Sequence, residues 1–108
     1  MILKVRKRSR SLSGGTWYVG TVGPYYFEAL VFLEGSRYGI DGGQVSKLLV
    51  LDKPRRQGGR ELACYERGWE LRPEDAEASP ESDWRTVQKA VRTVVEQTSR
   101  MERERQGG

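Results

Sequence analysis

Residues 16–51 hold three stretches rich in aromatic and β-branched residues, and these stretches are apolar on both sides. This constrains the fold more than any other feature of the chain. A half-buried strand alternates apolar and polar residues, so a strand that fails to alternate needs cover on two faces. Thr16–Val22 runs to a Gly23-Pro24 break, and Tyr25–Glu34 follows. Glycine tolerates positive φ at the first central turn position and proline suits the second, so a two-residue hairpin is expected. That turn sets Val22 opposite Tyr25, Gly20 opposite Phe27, Tyr18 opposite Ala29 and Trp17 opposite Leu30. One face then carries Tyr18, Val22, Tyr25, Phe27, Ala29, Val31 and Leu33. The other carries Trp17, Val19, Tyr26, Leu30 and Phe32, interrupted by Glu28 and Glu34.

Four glycines in the nine residues Gly35–Gly43 mark a loop with positive-φ positions. Gln44–Leu51 reads as a third strand, with Val45, Leu49 and Leu51 on one side and Ser46, Leu48 and Val50 on the other. Asp52–Gly59 is an exposed turn. Arg60–Glu66 is a fourth strand, pairing Leu62 with Cys64 on one face and Ala63 with Tyr65 on the other. Beyond it the chain bends and tucks in Trp69 and Leu71.

Residues 73–79 form an acidic connector. Ser79-Pro80-Glu81 has the composition of a helix start, with a serine cap, proline in the first turn and acid beside it. From there Trp84, Val87, Val91, Val94, Thr98 and Met101 recur at spacings of three and four, the stripe of an amphipathic helix over 80–104. Its valines and threonines lower intrinsic helicity, so it needs a surface to pack on. About 24 helical residues span ~36 Å, whereas an eight-residue strand spans ~27 Å. The last turns, rich in Arg and Glu, are therefore expected to overhang the sheet and fray. The expected fold is α+β: a four-stranded, mostly antiparallel meander over residues 16–72 with one long C-terminal helix on one face. A single helix cannot cover both faces. Apolar surface on the second must be hidden by the N-terminal arm, a second copy or a partner.

Residues 1–15 are that arm. Lys4, Arg6, Lys7, Arg8 and Arg10 put five cations and no anion in the first ten residues, and a serine–glycine joint follows. The arm reads as either an edge strand over residues 2–6 or a flexible tail. The chain as a whole carries +4 at pH 7. This charge argues against an acidic nucleic-acid mimic.

Catalytic signatures are absent. The chain has no histidine and one cysteine, so Ser-His-Asp and Cys-His arrangements, disulfides within the chain and multi-cysteine metal sites fall away. The glycine-rich loop lacks the Gly-Lys-Ser/Thr of a phosphate loop, and Cys64 reads as a small buried residue. The expectation is no enzyme, no metal and no cofactor. No apolar run approaches a membrane span, and the basic start lacks the apolar core of a signal peptide. Together with the single cysteine this makes a cytoplasmic protein the expectation. Surfaces remain. Trp17, Tyr26 and Phe32 on the second face, with Arg37, Tyr38 and Asp41 in the loop, are the candidate partner-binding residues. Lys4, Arg6, Lys7, Arg8 and Arg10, with Arg55 and Arg56 of the exposed turn, are the candidate nucleic-acid-binding residues, beside aromatics able to stack bases.

Trp17-Tyr18-Val19-Gly20-Thr21-Val22-Gly23, Tyr38-Gly39-Ile40-Asp41-Gly42-Gly43-x-Val45-Ser46-Lys47-Leu48 and Arg67-Gly68-Trp69 resemble an uncharacterised small domain of bacteria and their phages. The resemblance covers roughly residues 16–75 and leaves the arm and the helix outside it, as in a specialised member. It implies provenance from phage or mobile elements. It carries no assigned activity and hence no functional residue. Small proteins of that provenance often bind and block a host protein, including defence machinery. The resemblance also gives the glycine loop two readings. In one, Tyr38 packs beneath it while Asp41 and Ser46 bond its backbone; in the other it is a recognition loop. The leading expectation is a non-catalytic module that binds and modulates or inhibits a host protein or ribonucleoprotein, as an anti-CRISPR-like inhibitor would. The alternative is a nucleic-acid-binding accessory protein. A homodimer that buries the second face, or pairs helix stripe to helix stripe, is a third.

Overall fold

The structure, a computed structural model, describes residues 1–76 and 83–107. It is an α+β fold with one antiparallel sheet and one long helix, α1, Trp84–Gly107. The sheet has six strands rather than four. These are β1 (Leu3–Arg10), β2 (Thr16–Val22), β3 (Tyr25–Val31), β4 (Val45–Leu51), β5 (Glu61–Glu66) and β6 (Trp69–Leu71), and they lie in the sheet in chain order. The two extra strands carry weak apolar signals. β6 is only three residues long. β1 is charge-rich and buries just Leu3 and Val5 against the core, so backbone pairing rather than hydrophobic pattern defines it. Gly20 makes room for this pairing, because a Cβ there would fall inside the Lys4 carbonyl oxygen. The arm thus extends the sheet edgewise and leaves the second face uncovered.

The β2–β3 register is the one that the Gly23-Pro24 turn dictates, from Val22 opposite Tyr25 to Trp17 opposite Leu30. Gly23 takes φ +54°. Helix α1 lies on the face that carries Tyr18, Val22, Tyr25, Phe27, Ala29 and Val31, and packs Val87, Ala90, Val91 and Val94 against them. Leu33 lies beyond the end of β3 and is 46% exposed. The sheet contains four register shifts among the described residues, and two of them alter the expected faces. An extra Ser46 between Lys47 and Val45 turns Val45 into the core, away from Leu49. An extra Leu62 between Glu61 and Ala63 does the same for Leu62, leaving Cys64 on the open face. A third, at Arg6, bends β1. Such bulges add local twist and re-aim side chains.

Within the described residues the helix opens at Trp84, where the Arg85 N–H donates to the Asp83 carboxylate at 3.1 Å. The Ser79-Pro80-Glu81 start and most of the acidic connector lie outside the described residues. Trp84, the expected first member of the stripe, is 38% exposed and lies under Arg85 instead. The far end is docked rather than frayed. Glu102 is 1% exposed and sits on the buried stripe, four residues after Thr98. Its carboxylate accepts from the Thr16 hydroxyl and the Tyr18 hydroxyl, each at 2.8 Å, and the Arg105 guanidinium lies 3.6 Å away. These bonds join α1 to β2, and burial together with the Glu102 bond raises the Tyr18 pKa. Among the described residues no helix is long and apolar enough to cross a membrane.

Candidate functional site

Strand registers fix what the open face displays. One row across the sheet reads Ser9, Trp17, Leu30, Lys47, Glu66; the next Lys7, Val19, Glu28, Leu49, Cys64; the next Lys4, Thr21, Tyr26, Leu51, Glu61. Cations gather on the edge strand β1 and carboxylates on β5, one strand in from the opposite edge, with aromatic and aliphatic residues between. Two ion pairs cross the middle, Arg55 to Glu28 at 2.8 Å and Lys47 to Glu66 at 3.3 Å.

A groove of about 720 Å³ occupies one end of this face. Trp17, Leu30 and Phe32 supply its apolar surface, and Leu33, Tyr38, Lys47 and Arg67 join them from neighbouring segments. Phe32 is held by Gln44. The Phe32 N–H donates to the Gln44 carbonyl at 2.9 Å, and the Gln44 amide donates back to the Phe32 carbonyl at 3.0 Å and on to Ser99 of the helix at 3.2 Å. Tyr38 is held from the core side, where the Tyr65 hydroxyl donates to its carbonyl at 2.9 Å. The Tyr38 ring itself does not pack beneath the glycine loop. It stands 44% exposed, and the buried member of the loop is Ile40. The loop closes on itself at Gly39, where any Cβ would collide with the Gly43 carbonyl.

Two arginines flank Tyr38. The Arg37 guanidinium lies 4.9 Å from the ring centroid and donates to the Tyr38 hydroxyl at 2.8 Å, and the Arg67 guanidinium lies 5.7 Å away. Arg67 adopts φ +60°, and its N–H donates to the carbonyl of the bulged Ser46 at 3.0 Å.

The structure therefore brings together Trp17, Phe32 and Tyr38, with Arg37 beside Tyr38. It separates the other two candidates. Tyr26 lies in a small hollow with Arg6, Val19 and Arg55. Asp41, at φ +53°, lines a different cleft of about 430 Å³ with Trp69, Arg72 and helix residues Val91 and Glu96. Of the basic candidates, Lys4 and Lys7 share the open face with Trp17 and Tyr26, and Arg6 borders the hollow. Arg8 and Arg10 fall in the rows of Tyr18 and Thr16 and line a cleft with Arg105 on the helix side. None of these five arm cations forms an ion pair among the described residues, nor does Arg56, while Arg55 is tied to Glu28.

Sequence reasoning places Leu30 beside Trp17 on this face but misses Lys47 and Arg67 as groove residues, and Glu102 as the clasp of the helix. Position 102 continues the stripe through Thr98, and that phase was the available signal. Arg67 stands in the sequence within a bend and within the Arg67-Gly68-Trp69 motif, neither of which points to the groove. Cys64 is a poor nucleophile here: burial first, then Glu61 and Glu70, push its thiol up to about 11, and its S–H points to the Glu70 carboxylate at 3.7 Å.

The family model described as Domain of unknown function (DUF7678) matches residues 16–98. The match runs through most of the helix, so α1 is part of the domain rather than an addition to it, while β1 and the Glu102 turn lie outside the matched residues. No curated protein and no solved structure matches the chain.

Proposed function

The chain belongs to the family described as Domain of unknown function (DUF7678), and we propose that it acts as a small non-catalytic binding module. In this reading it captures a macromolecule of its host on the open sheet face and modulates or inhibits it. A phage or mobile-element origin and an anti-defence role, like that of an anti-CRISPR inhibitor, suit this reading. One observation carries it: the groove of about 720 Å³ that holds Trp17, Leu30, Phe32 and Tyr38 lies on the face that α1 leaves bare. A partly buried aromatic cluster ringed by polar groups is the composition of a binding hot spot. The partner is a protein or ribonucleoprotein, and the protein works in the cytoplasm without a cofactor. The test is recovery from nuclease-treated host lysate by the tagged protein and by a Trp17→Ala, Phe32→Ala, Tyr38→Ala variant that retains its far-ultraviolet spectrum. A stoichiometric protein recovered by the first and lost by the second supports the reading; equal recovery by both removes it.

A second reading, nucleic-acid binding, is favoured by one observation. Lys4 and Lys7 are paired into the same sheet and the same face as Tyr26 and Trp17. Phosphate contacts release counterions, so this reading requires affinity that falls steeply with salt and collapses when residues 1–10 are deleted. A homodimer joined edge to edge through β1 would set like charges opposite one another, which is unfavourable. Sedimentation at the monomer mass of 12.3 kDa would remove the homodimer.

A further inference from the structure

The open-face groove is apolar along its floor and carries on its walls one guanidinium, Arg67, and one carboxylate, Glu34, each unpaired among the described residues, and that combination restricts what it can hold. Trp17 and Phe32, both half-buried, offer a surface for one large apolar side chain, with Leu30 buried between them at 3% exposure. Charge enters from Lys47, Arg67 and Glu34. Lys47 is already neutralised by Glu66 at 3.3 Å. Neither Arg67 nor its neighbour across Tyr38, Arg37, forms an ion pair among the described residues, and neither does Glu34. The arm cations that would follow a polyanion do not line the groove.

Arg67 carries a second, independent mark. It holds φ +60°, a conformation that costs a non-glycine residue strain, while its neighbour Gly68 does not take a positive φ. Strain of this kind persists where surrounding structure enforces it and clusters at binding sites. Here the N–H bond to Ser46 enforces the turn, and the side chain is delivered beside the exposed Tyr38 ring.

We propose that this groove binds an extended protein segment in which a large apolar side chain is flanked by a carboxylate, the apolar group resting on Trp17 and Phe32 and the carboxylate meeting Arg67. The proposal rests on the binding-module reading and names the chemistry of its partner. Arg67 provides a bidentate guanidinium for the carboxylate, and the Tyr38 ring, 5.7 Å from that guanidinium, helps to hold it in place.

The experiment is a titration of the isotopically labelled full chain, followed by amide and indole nuclear magnetic resonance. Three probes are compared: the peptide acetyl-Glu-Phe-Glu-amide, its uncharged counterpart acetyl-Gln-Phe-Gln-amide, and a thymidine oligonucleotide. The acidic peptide is expected to shift the Trp17 indole and the amides of Phe32, Tyr38 and Arg67, binding at least about fivefold more tightly than the glutamine peptide. Arg67→Gly removes the guanidinium and the strain together. It is expected to erase the difference between the two peptides while melting at or above the wild-type temperature; Arg67→Lys keeps part of the preference. Equal binding of both peptides, shifts confined to other residues, tighter oligonucleotide binding at these residues, or a lower melting temperature for Arg67→Gly would each overturn the proposal. If the Trp17, Phe32, Tyr38 variant nevertheless loses partner capture, the binding-module reading stands and only the acidic-segment assignment falls.

Discussion

The two phenylalanines of this chain sit on opposite faces of one strand and its continuation, and they lead different lives. Phe27 is 1% exposed beneath the helix, among residues whose rows are filled from β2 to β5. Phe32 is half-buried in a groove that nothing in the described residues caps. The covered face is a solved packing problem in which every row ends against α1. The open face has comparable residue types and no second layer. Leu30, Leu49 and Leu51 on that face are buried by their neighbours, but a chain under pressure only to fold would not leave Trp17, Tyr26 and Phe32 half-exposed beside them, so these aromatics are better explained by something they meet outside the fold.

The largest expected effect separates these faces directly. Phe27→Ala should cost about 4 kcal/mol by removing a well-packed core ring, read as a lowered denaturation midpoint. Phe32→Ala should cost less than about 1 kcal/mol and still impair partner capture. If the two losses are alike, the open face is a second core rather than a surface.

Glu102 should come next. Glu102→Ala leaves the Thr16 and Tyr18 hydroxyls without their acceptor, and should cost about 3 kcal/mol. Glu102→Gln keeps one acceptor and should cost about 1 kcal/mol. Chemical denaturation of both variants measures the gap.

Gly20→Ala forces β1 away from β2, with an expected cost of about 2 kcal/mol. Accelerated amide exchange confined to residues 3–10 would show where the strain goes. Uniform acceleration across the sheet would show instead that β1 is integral to the core.

Smallest is the alkaline response. Cys64 moves from an ordinary 9.0 to about 11 in the fold, and Tyr18 and Tyr25 are also raised above 10.0. Each is acidic with a raised pKa, so the unfolded chain gives up these protons first. Their stabilisation is full below pH 9, falls as Cys64 of the unfolded state ionises between 9 and 11, and falls further as the tyrosines follow. Melting temperature measured from pH 7 to 11 should decline over that window, and Cys64→Ala should flatten its lower part.

How legible this was in the sequence depended on which force places each residue. The Gly23-Pro24 turn fixed the β2–β3 register and both faces of that hairpin, because turn chemistry and side-chain alternation agree there. The helix was readable from Val87 to Thr98 by period alone. The edge strand β1 was only half-legible, since its stability comes from backbone pairing beneath a run of charges. Val45 and Leu62 were assigned to the wrong faces because a bulge has no composition of its own. Glu102 carried the right phase but the wrong polarity for a pattern that counts apolar residues. The groove was legible as ingredients, Trp17, Phe32 and Tyr38, and not as a place. Leu30 was already set beside Trp17 by the Gly23-Pro24 turn, whereas Lys47 and Arg67 reach the groove from segments whose meeting depends on those same bulges and turns.

The strand order of this sheet bears on how the molecule assembles in time. Every pairing joins neighbours along the chain, so the meander can zip through successive local hairpins, each closing a short loop at little entropic cost. The clasp from Thr16 and Tyr18 to Glu102 bridges 86 and 84 residues, and it has no template until that zipping is done. It therefore belongs to the downhill side of the barrier. Stopped-flow measurements on Glu102→Ala should find refolding nearly as fast as wild type and unfolding faster by most of the lost stability. A single buried carboxylate would then set how long the folded protein lasts while leaving the speed of its making untouched.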